Sequence, residues 1–525
     1  DKDKTDDNKT DTDDKDKTDD NKTDTDDKDK TDNKRDAEKD INNKATTDFK
    51  TNLTLPSELP DSYEVSENGL HAEAEGDQFF ITETVSDDFV YSADVTFNNN
   101  NTDSAAALVF RKKENIEENS YMYVANLSPN GKFRLFKFEP DTGCNIAHEG
   151  NIKDLGIKES NTHNLKVVCI GKKISYYIDD VLVTSTGDYF APNYPNLFAG
   201  FGQKDIILKG NLGFLTWGAN DSGGADITYQ NVYYVEITED NTPQLTDLQI
   251  SGNAEYENKF KSTQYNYQQY VSNDTESIEI TAIAENGAEI KITTTEDGEE
   301  ITDTASLEVG QNFFTIDTTT KVTAEGTDVE LTAPITYRLS VFRRYPEDSY
   351  YNEDYRGQYH YSVKDGWAND PNGLIKAPNG TYHMFYQFFP SGTKWGPMHW
   401  MHATSTDLVH WEEKPVAFYP NEYGAMYSGC AVYDKNNTSG LVEGGGFIAM
   451  ITAHSEHDSG QGMILAYSKD GDDWEFYEGD KNDDGVDDGT ILSWTAGKIS
   501  DDDGHSRAFR DPKIFRYDDK WFMVI

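Results

Sequence analysis

The sequence predicts an all-β chain built from several domains. Its 525 residues are too many for one hydrophobic core, which typically serves about 100 to 200 residues. Beyond the first 45 positions, β-branched and aromatic residues come in short runs, several alternating with period two. Clusters of Asn, Gly, Asp and Pro separate them, as in antiparallel strands joined by turns.

Residues 1–45 differ from this pattern. Lys4-Thr5-Asp6-Asp7-Asn8-Lys9 recurs as Lys17-Thr18-Asp19-Asp20-Asn21-Lys22, in a segment with almost no apolar side chains. Such a run cannot offset the entropy lost on folding, so a disordered acidic tether is expected.

Residues 46–240 read as a β-sandwich. Its strands include Phe89–Val95, Ala106–Phe110, Tyr121–Ala125 and Phe133–Phe138, and Lys173–Val183 reads as a hairpin turning at Asp179-Asp180. The unit closes near Val235–Ile237. Residues 241–345 form a smaller all-β unit with runs Leu248–Gly252, Ile278–Ile280 and Ile290–Ile292. Asn286-Gly287 lies between the last two runs and suits the positive φ angles of a hairpin turn. This unit carries no evident chemistry, so a spacer role is expected.

The 96 acidic residues outnumber the 47 basic ones, for a formal net charge of −49. Such a surface repels phosphate backbones and anionic lipids, which argues against nucleic acid as a partner. It suits a soluble protein acting on an uncharged substrate, and equally a merely well-solvated surface. No run of apolar residues is long enough to span a membrane. The three cysteines, Cys144, Cys169 and Cys430, allow at most one disulfide, for which Cys144 and Cys169 would be the pair; free buried thiols are expected instead. The chain starts at Asp1 and stops at Ile525 within an apolar run, so an export signal or wall anchor is expected outside it.

The chemistry concentrates from about residue 355. In Trp367-Ala368-Asn369-Asp370-Pro371-Asn372-Gly373, Pro371 pushes Asp370 out of the helical region and Asn372-Gly373 makes a tight turn. The carboxylate is thereby held on a rigid loop. Tyr386-Gln387-Phe388-Phe389-Pro390, Trp395–Ala403, Asp407–Glu412, Tyr427-Ser428-Gly429-Cys430 and Phe509-Arg510-Asp511-Pro512-Lys513 follow in order. Together these segments resemble the signature boxes of glycoside hydrolase family 32, the invertases, inulinases and levanases.

The resemblance implies a five-bladed β-propeller, of which residues 346–525 supply an N-terminal portion of about two and a half to three and a half blades. It implies Asp370 as nucleophile and Asp511 as transition-state stabiliser. Asn369, Gln387, Trp395, Ser428 and Arg510 would bind the terminal fructose. In the family the general acid is a Glu followed by Cys. No cysteine here follows a Glu, so no residue is named for that role and the segment alone is expected to be inactive.

Ala107–Arg111, Tyr123–Asn126, Lys132–Phe138 and the Asp179-Asp180 hairpin resemble the concanavalin-like modules attached to levanases. The likeness implies fructan binding, with Arg111 and Trp217 as candidate sugar contacts. Tyr337–Val341 resembles the closing strand of cadherin-like sandwich repeats. Asp480, Asn482 and Asp484 stand at positions 1, 3 and 5 of an EF-hand-like loop with Gly485 at 6, but Ile491 occupies position 12. A structural calcium ion and a solvated acidic loop both remain open. The expected chemistry requires no cofactor.

The expectation is therefore an extracellular β-fructosidase cleaving levan or inulin. A sucrose invertase or fructosyltransferase, and a surface fructan-binding protein without catalysis, are the alternatives.

Overall fold

The computed structural model describes residues 49–66, 68–114, 120–139, 143–187, 198–199, 206–252, 259–357, 359–454, 461–477, 486–487, 490–493 and 510–525. The predicted tether and the candidate calcium loop at Asp480, Asn482 and Asp484 lie outside these residues. Regular structure among them is β-strand, interrupted by three short 3-10 turns. Residues 48–525 pack as one unit.

The first sandwich has sheets of eight and six strands. Alternating side chains meet in a core where Phe80, Phe89, Tyr91, Phe110, Tyr123 and Phe214 are fully buried. The buried Tyr91 hydroxyl donates to the Gly213 carbonyl at 3.0 Å, which offsets its loss of water. Strands Lys173–Ile178 and Val181–Thr186 pair antiparallel. Asp179 and Asp180 between them have φ of 51° and 64°, as a two-residue primed turn requires.

Cys144 and Cys169 are free thiols, as expected, although Cys144 is not buried. They sit in the two opposing sheets, with Cys144 exposed and Cys169 buried. Burial pushes the Cys169 thiol up to about 12.

In the second sandwich, Asn286 and Gly287 have φ of 59° and 68°. Their turn does not close the expected hairpin. Ser277–Ala284 pairs with Leu245–Ile250 and Thr304–Ser306, whereas Glu289–Thr294 pairs with Gly310–Thr323 in the other sheet. Both edges of the first strand are taken, so the turn carries the chain across the sandwich.

Two antiparallel meanders of four strands follow, the second with Thr490–Ser493 added beside Gln461–Ser468, and then the start of a third, as propeller blades do. The first blade runs Trp367–Lys376, Tyr382–Phe389, His399–Ser405 and Trp411–Glu413. The second runs Ala425–Asp434, Gly446–His454, Gln461–Ser468 and Trp474–Phe476. Lys513–Tyr517 and Lys520–Val524 begin the third. Phe385, Trp400, Phe418, Phe447 and Trp474 fill the space between the first two.

The sandwiches are joined to these blades by specific contacts. Ile206–Ile207 pairs with Val486–Asp487, and the Ile206 side chain belongs to the same core as Phe385 and Trp400. Lys261 of the second sandwich donates to the Trp474 carbonyl at 2.7 Å. Arg344, buried at the end of that sandwich, pairs with Asp365 and, at 3.2 Å, with Glu413. Its guanidinium also lies 4.2 Å from the Tyr270 ring centroid.

The first two blades are latched by buried histidines. Asp472 Oδ1 lies 3.0 Å from His402 Nδ1, and His402 Nε2 lies 2.9 Å from His383 Nδ1. Burial first, then His402, holds His383 down at about 4. Burial likewise lowers His399, to about 3, and His402. An unfolded histidine titrates near about 6.5, so between these values the unfolded chain binds more protons. Stability should therefore fall as pH drops from about 6.5 toward 4. Thermal midpoints across that range should show the fall, and a His383→Phe variant should show a shallower one; equal slopes would contradict the assignment.

Candidate active site

The site begins with a defect in a strand. Pro371 has no N–H to give to the ladder, and the pairing of Trp367–Lys376 with Tyr382–Phe389 slips between Ala368 and Pro371 and again between Pro371 and Gly373. Such bulges re-aim side chains. Here they turn the Asp370 carboxylate to the surface, with Asn369 half-buried.

The adjacent inner strand repeats the device. Ala425–Asp434 slips against Gly446–His454 between Met426 and Gly429, so Tyr427 and Ser428 loop out. Gly429 allows this. A Cβ there would lie 2.2 Å from the Met450 carbonyl oxygen and 2.9 Å from the buried Trp400 ring. Trp400 Nε1 donates to the Tyr427 carbonyl at 2.9 Å, and the Gly429 amide donates to Asn372 Oδ1 at 3.3 Å. Each bulge is thus pinned by its neighbour.

A chain of hydrogen bonds connects the two. Asn369 Nδ2 donates to Gln387 Oε1 at 2.7 Å. Gln387 Nε2 donates to Ser428 Oγ at 3.0 Å, and the Ser428 hydroxyl donates to Asp370 Oδ2 at 2.5 Å. Gln387 is buried, and its donor and acceptor are both used, which fixes its amide orientation. Four residues singled out in the sequence therefore meet in one network.

Trp395 is half-exposed, with its ring edge-on to Tyr427 at 5.5 Å between centroids. Tyr427 in turn lies 4.5 Å from the His454 ring. Arg510 and Asp511 precede the third inner strand, with Arg510 Nε 3.6 Å from Asp511 Oδ2. The Asp511 amide is tied to the second blade by donating to Thr452 Oγ1 at 3.2 Å. Sequence reasoning missed Trp400, Asn372 and Thr452 as individual residues. The first two stood inside quoted motifs, whereas Thr452 carries no local signal.

On the first sandwich the expectation for Arg111 is corrected. Arg111 is fully buried. Its guanidinium donates to the carbonyls of Asp87 at 2.7 Å, Gly171 at 2.9 Å and Ile207 at 3.2 Å. These bonds occupy the group inside the fold, so it clamps loops rather than meeting a ligand at the surface. Trp217 is 37% exposed on the strand Gly210–Gly218.

The Glycosyl hydrolases family 32 N-terminal domain matches residues 360–525. That span holds both bulged strands and all the residues assigned to the site. Residues 360–525 thus resemble the N-terminal domain of that family. A Cadherin-like beta sandwich domain matches residues 245–344.

A fructan beta-fructosidase of Streptococcus mutans is 39% identical over 475 residues, covering 88% of this chain and 30% of its own length. A levanase of Bacillus subtilis is 43% identical over 182 residues, 34% of this chain and 24% of the levanase. An extracellular exo-inulinase of Aspergillus awamori is 37% identical over 223 residues, 37% of this chain and 38% of the inulinase. The chain thus spans between about a quarter and two fifths of the length of these relatives. No helix among the described residues is long and apolar enough to cross a membrane.

The packing at the second bulge gives a direct test of how this site is held. Gly429→Ala forces a methyl against Met450 and Trp400, and overpacking of this kind costs about 1–3 kcal/mol. Chemical denaturation should show that loss. A variant as stable as the parent would mean that the bulge is not held in this way.

Proposed function

We propose that this protein is an extracellular glycosidase that hydrolyses β-fructosidic bonds in fructans, levan foremost, with retention at the anomeric carbon. The observation that carries the reading is the network from Asn369 through Gln387 and Ser428 to Asp370. The activities named for the streptococcal and Bacillus relatives support the substrate class. The name of the Aspergillus relative supports the location, and a polymeric substrate is most simply met outside the cell.

In this mechanism the Ser428 hydroxyl occupies Asp370 Oδ2, leaving Oδ1 to attack C2 of the terminal fructosyl unit. The C2–O bond to the leaving sugar breaks as an ester forms on Asp370, while a carboxylic acid protonates the departing oxygen. Water then adds to C2, the ester bond breaks and Asp370 is regenerated. Asp511 accepts hydrogen bonds from fructose hydroxyls that strengthen in the transition state, with Arg510 beside it. Trp395 and Tyr427 border the entry. No cofactor takes part in these steps. The acid follows the family resemblance to a Glu–Cys pair, which does not occur in residues 1–525.

Asp370→Asn in the whole protein should lower turnover of levan and sucrose by several orders of magnitude while leaving the thermal midpoint in place. Retained turnover would remove the nucleophile assignment, and a stable parent that binds levan without cleaving it would make this a binding protein.

For the first sandwich we propose fructan binding with Trp217 as the exposed aromatic contact. Trp217→Ala should weaken retention on high-mass levan and leave sucrose turnover unchanged. Undiminished retention would exclude Trp217.

A further inference from the structure

We infer that Thr452 is a positioning residue that sets the direction of the Asp511 carboxylate; the inference rests on the reading of Asp511 as transition-state stabiliser. Thr452 lies on the second strand of the second blade. The pairing Met426 with Ala453 and Gly429 with Ile451 makes it the one residue opposite the looped-out Tyr427 and Ser428. The bulge therefore clears the ladder position beside it. Through that position its hydroxyl meets the chain entering the third blade and accepts the Asp511 amide at 3.2 Å.

Asp511 needs such an anchor. Its φ is 63°, a left-handed conformation that residues with side chains adopt rarely and hold only when their surroundings impose it. Its side chain is 60% exposed, so packing does not fix the carboxylate and the backbone must aim it. On the far side of Pro512, the Ile514 amide donates to Cys430 Sγ at 3.1 Å. Two ties from the second blade thus bracket the residue, and Thr452 is the one on Asp511 itself.

The hydroxyl serves as both donor and acceptor. Thr452 is completely buried. Its hydroxyl donates toward Met463 Sδ at 3.8 Å while accepting from Asp511, and Ser can do both where Val can do neither. Val keeps the volume and β-branching, so it removes the anchor with little change to the packing.

The test compares Thr452→Val, Thr452→Ser and Thr452→Ala in the whole protein on sucrose and on levan oligomers, with thermal unfolding in parallel. Thr452→Val should lower kcat by about tenfold to a hundredfold, the scale of a small misplacement of a catalytic group. KM and the thermal midpoint should stay near those of the parent, and Thr452→Ser should restore kcat. Thr452→Ala gives the same reading should Val perturb folding. Combined with Asp511→Ala, Thr452→Val should add no further loss, because residues acting as a unit are not additive. A parental kcat in the Val and Ala variants, failure of Ser to restore it, or full additivity with Asp511→Ala would each overturn the proposal. Asp370→Asn run alongside separates the two failures: if it is inactive while Thr452→Val is unaffected, only the positioning role is lost. If it turns over at the parental rate, the reading of the site on which this inference rests is lost with it.

Discussion

The site depends on two neighbouring strands each carrying extra residues at the same edge. A regular ladder would alternate side chains and leave Asp370 and Ser428 directed by the pleat. The slips at Pro371 and before Gly429 release them from it. Once released, they meet across the gap between blades, and Gln387 braces both from behind. The arrangement is costly unless the slipped backbone is held. Pro371 supplies one constraint by withholding a donor, and Gly429 the other by withholding a side chain where Met450 and Trp400 close in.

The rest of the described chain gives those bulges a rigid frame. The inter-blade core of Phe385, Trp400, Phe418, Phe447 and Trp474 is buried and aromatic, and burial lowers the histidine latch at its edge. The two sandwiches share this frame. Ile206 enters the propeller core, and Arg344 joins the second sandwich to the first blade through two carboxylates. Burying Arg344 without Asp365 and Glu413 would strand a charge in a poorly solvated place. The modules therefore bear on the blades rather than simply preceding them.

Much of this was legible in the sequence because its strongest signals are local. Period-two runs marked the strands, and Asp179-Asp180 marked a turn whose φ angles are both positive. Asp370-Pro371 marked irregular backbone, but the expected loop and tight turn at Asn372-Gly373 are instead a bulged stretch of the strand Trp367–Lys376. What could not be read depends on contacts distant in the chain. Asn286-Gly287 specifies a turn but not whether the next strand returns to the same sheet, and the partners 40 residues before and 20 after decide that. Arg111 was expected to contact sugar, and its burial could not be read because the carbonyls that enclose it come from residues 87, 171 and 207. Thr452 had no signal because its partner, Asp511, lies 59 positions away.

Asp370, as the proposed nucleophile, should become covalently bonded to fructose during turnover. A rapid acid quench of the whole protein turning over a slow β-fructoside, followed by peptide mass analysis, tests it directly. One fructosyl residue is expected on the peptide that carries Asp370, and none in Asp370→Asn. An adduct on another carboxylate, or complete turnover with inversion at C2, would contradict it.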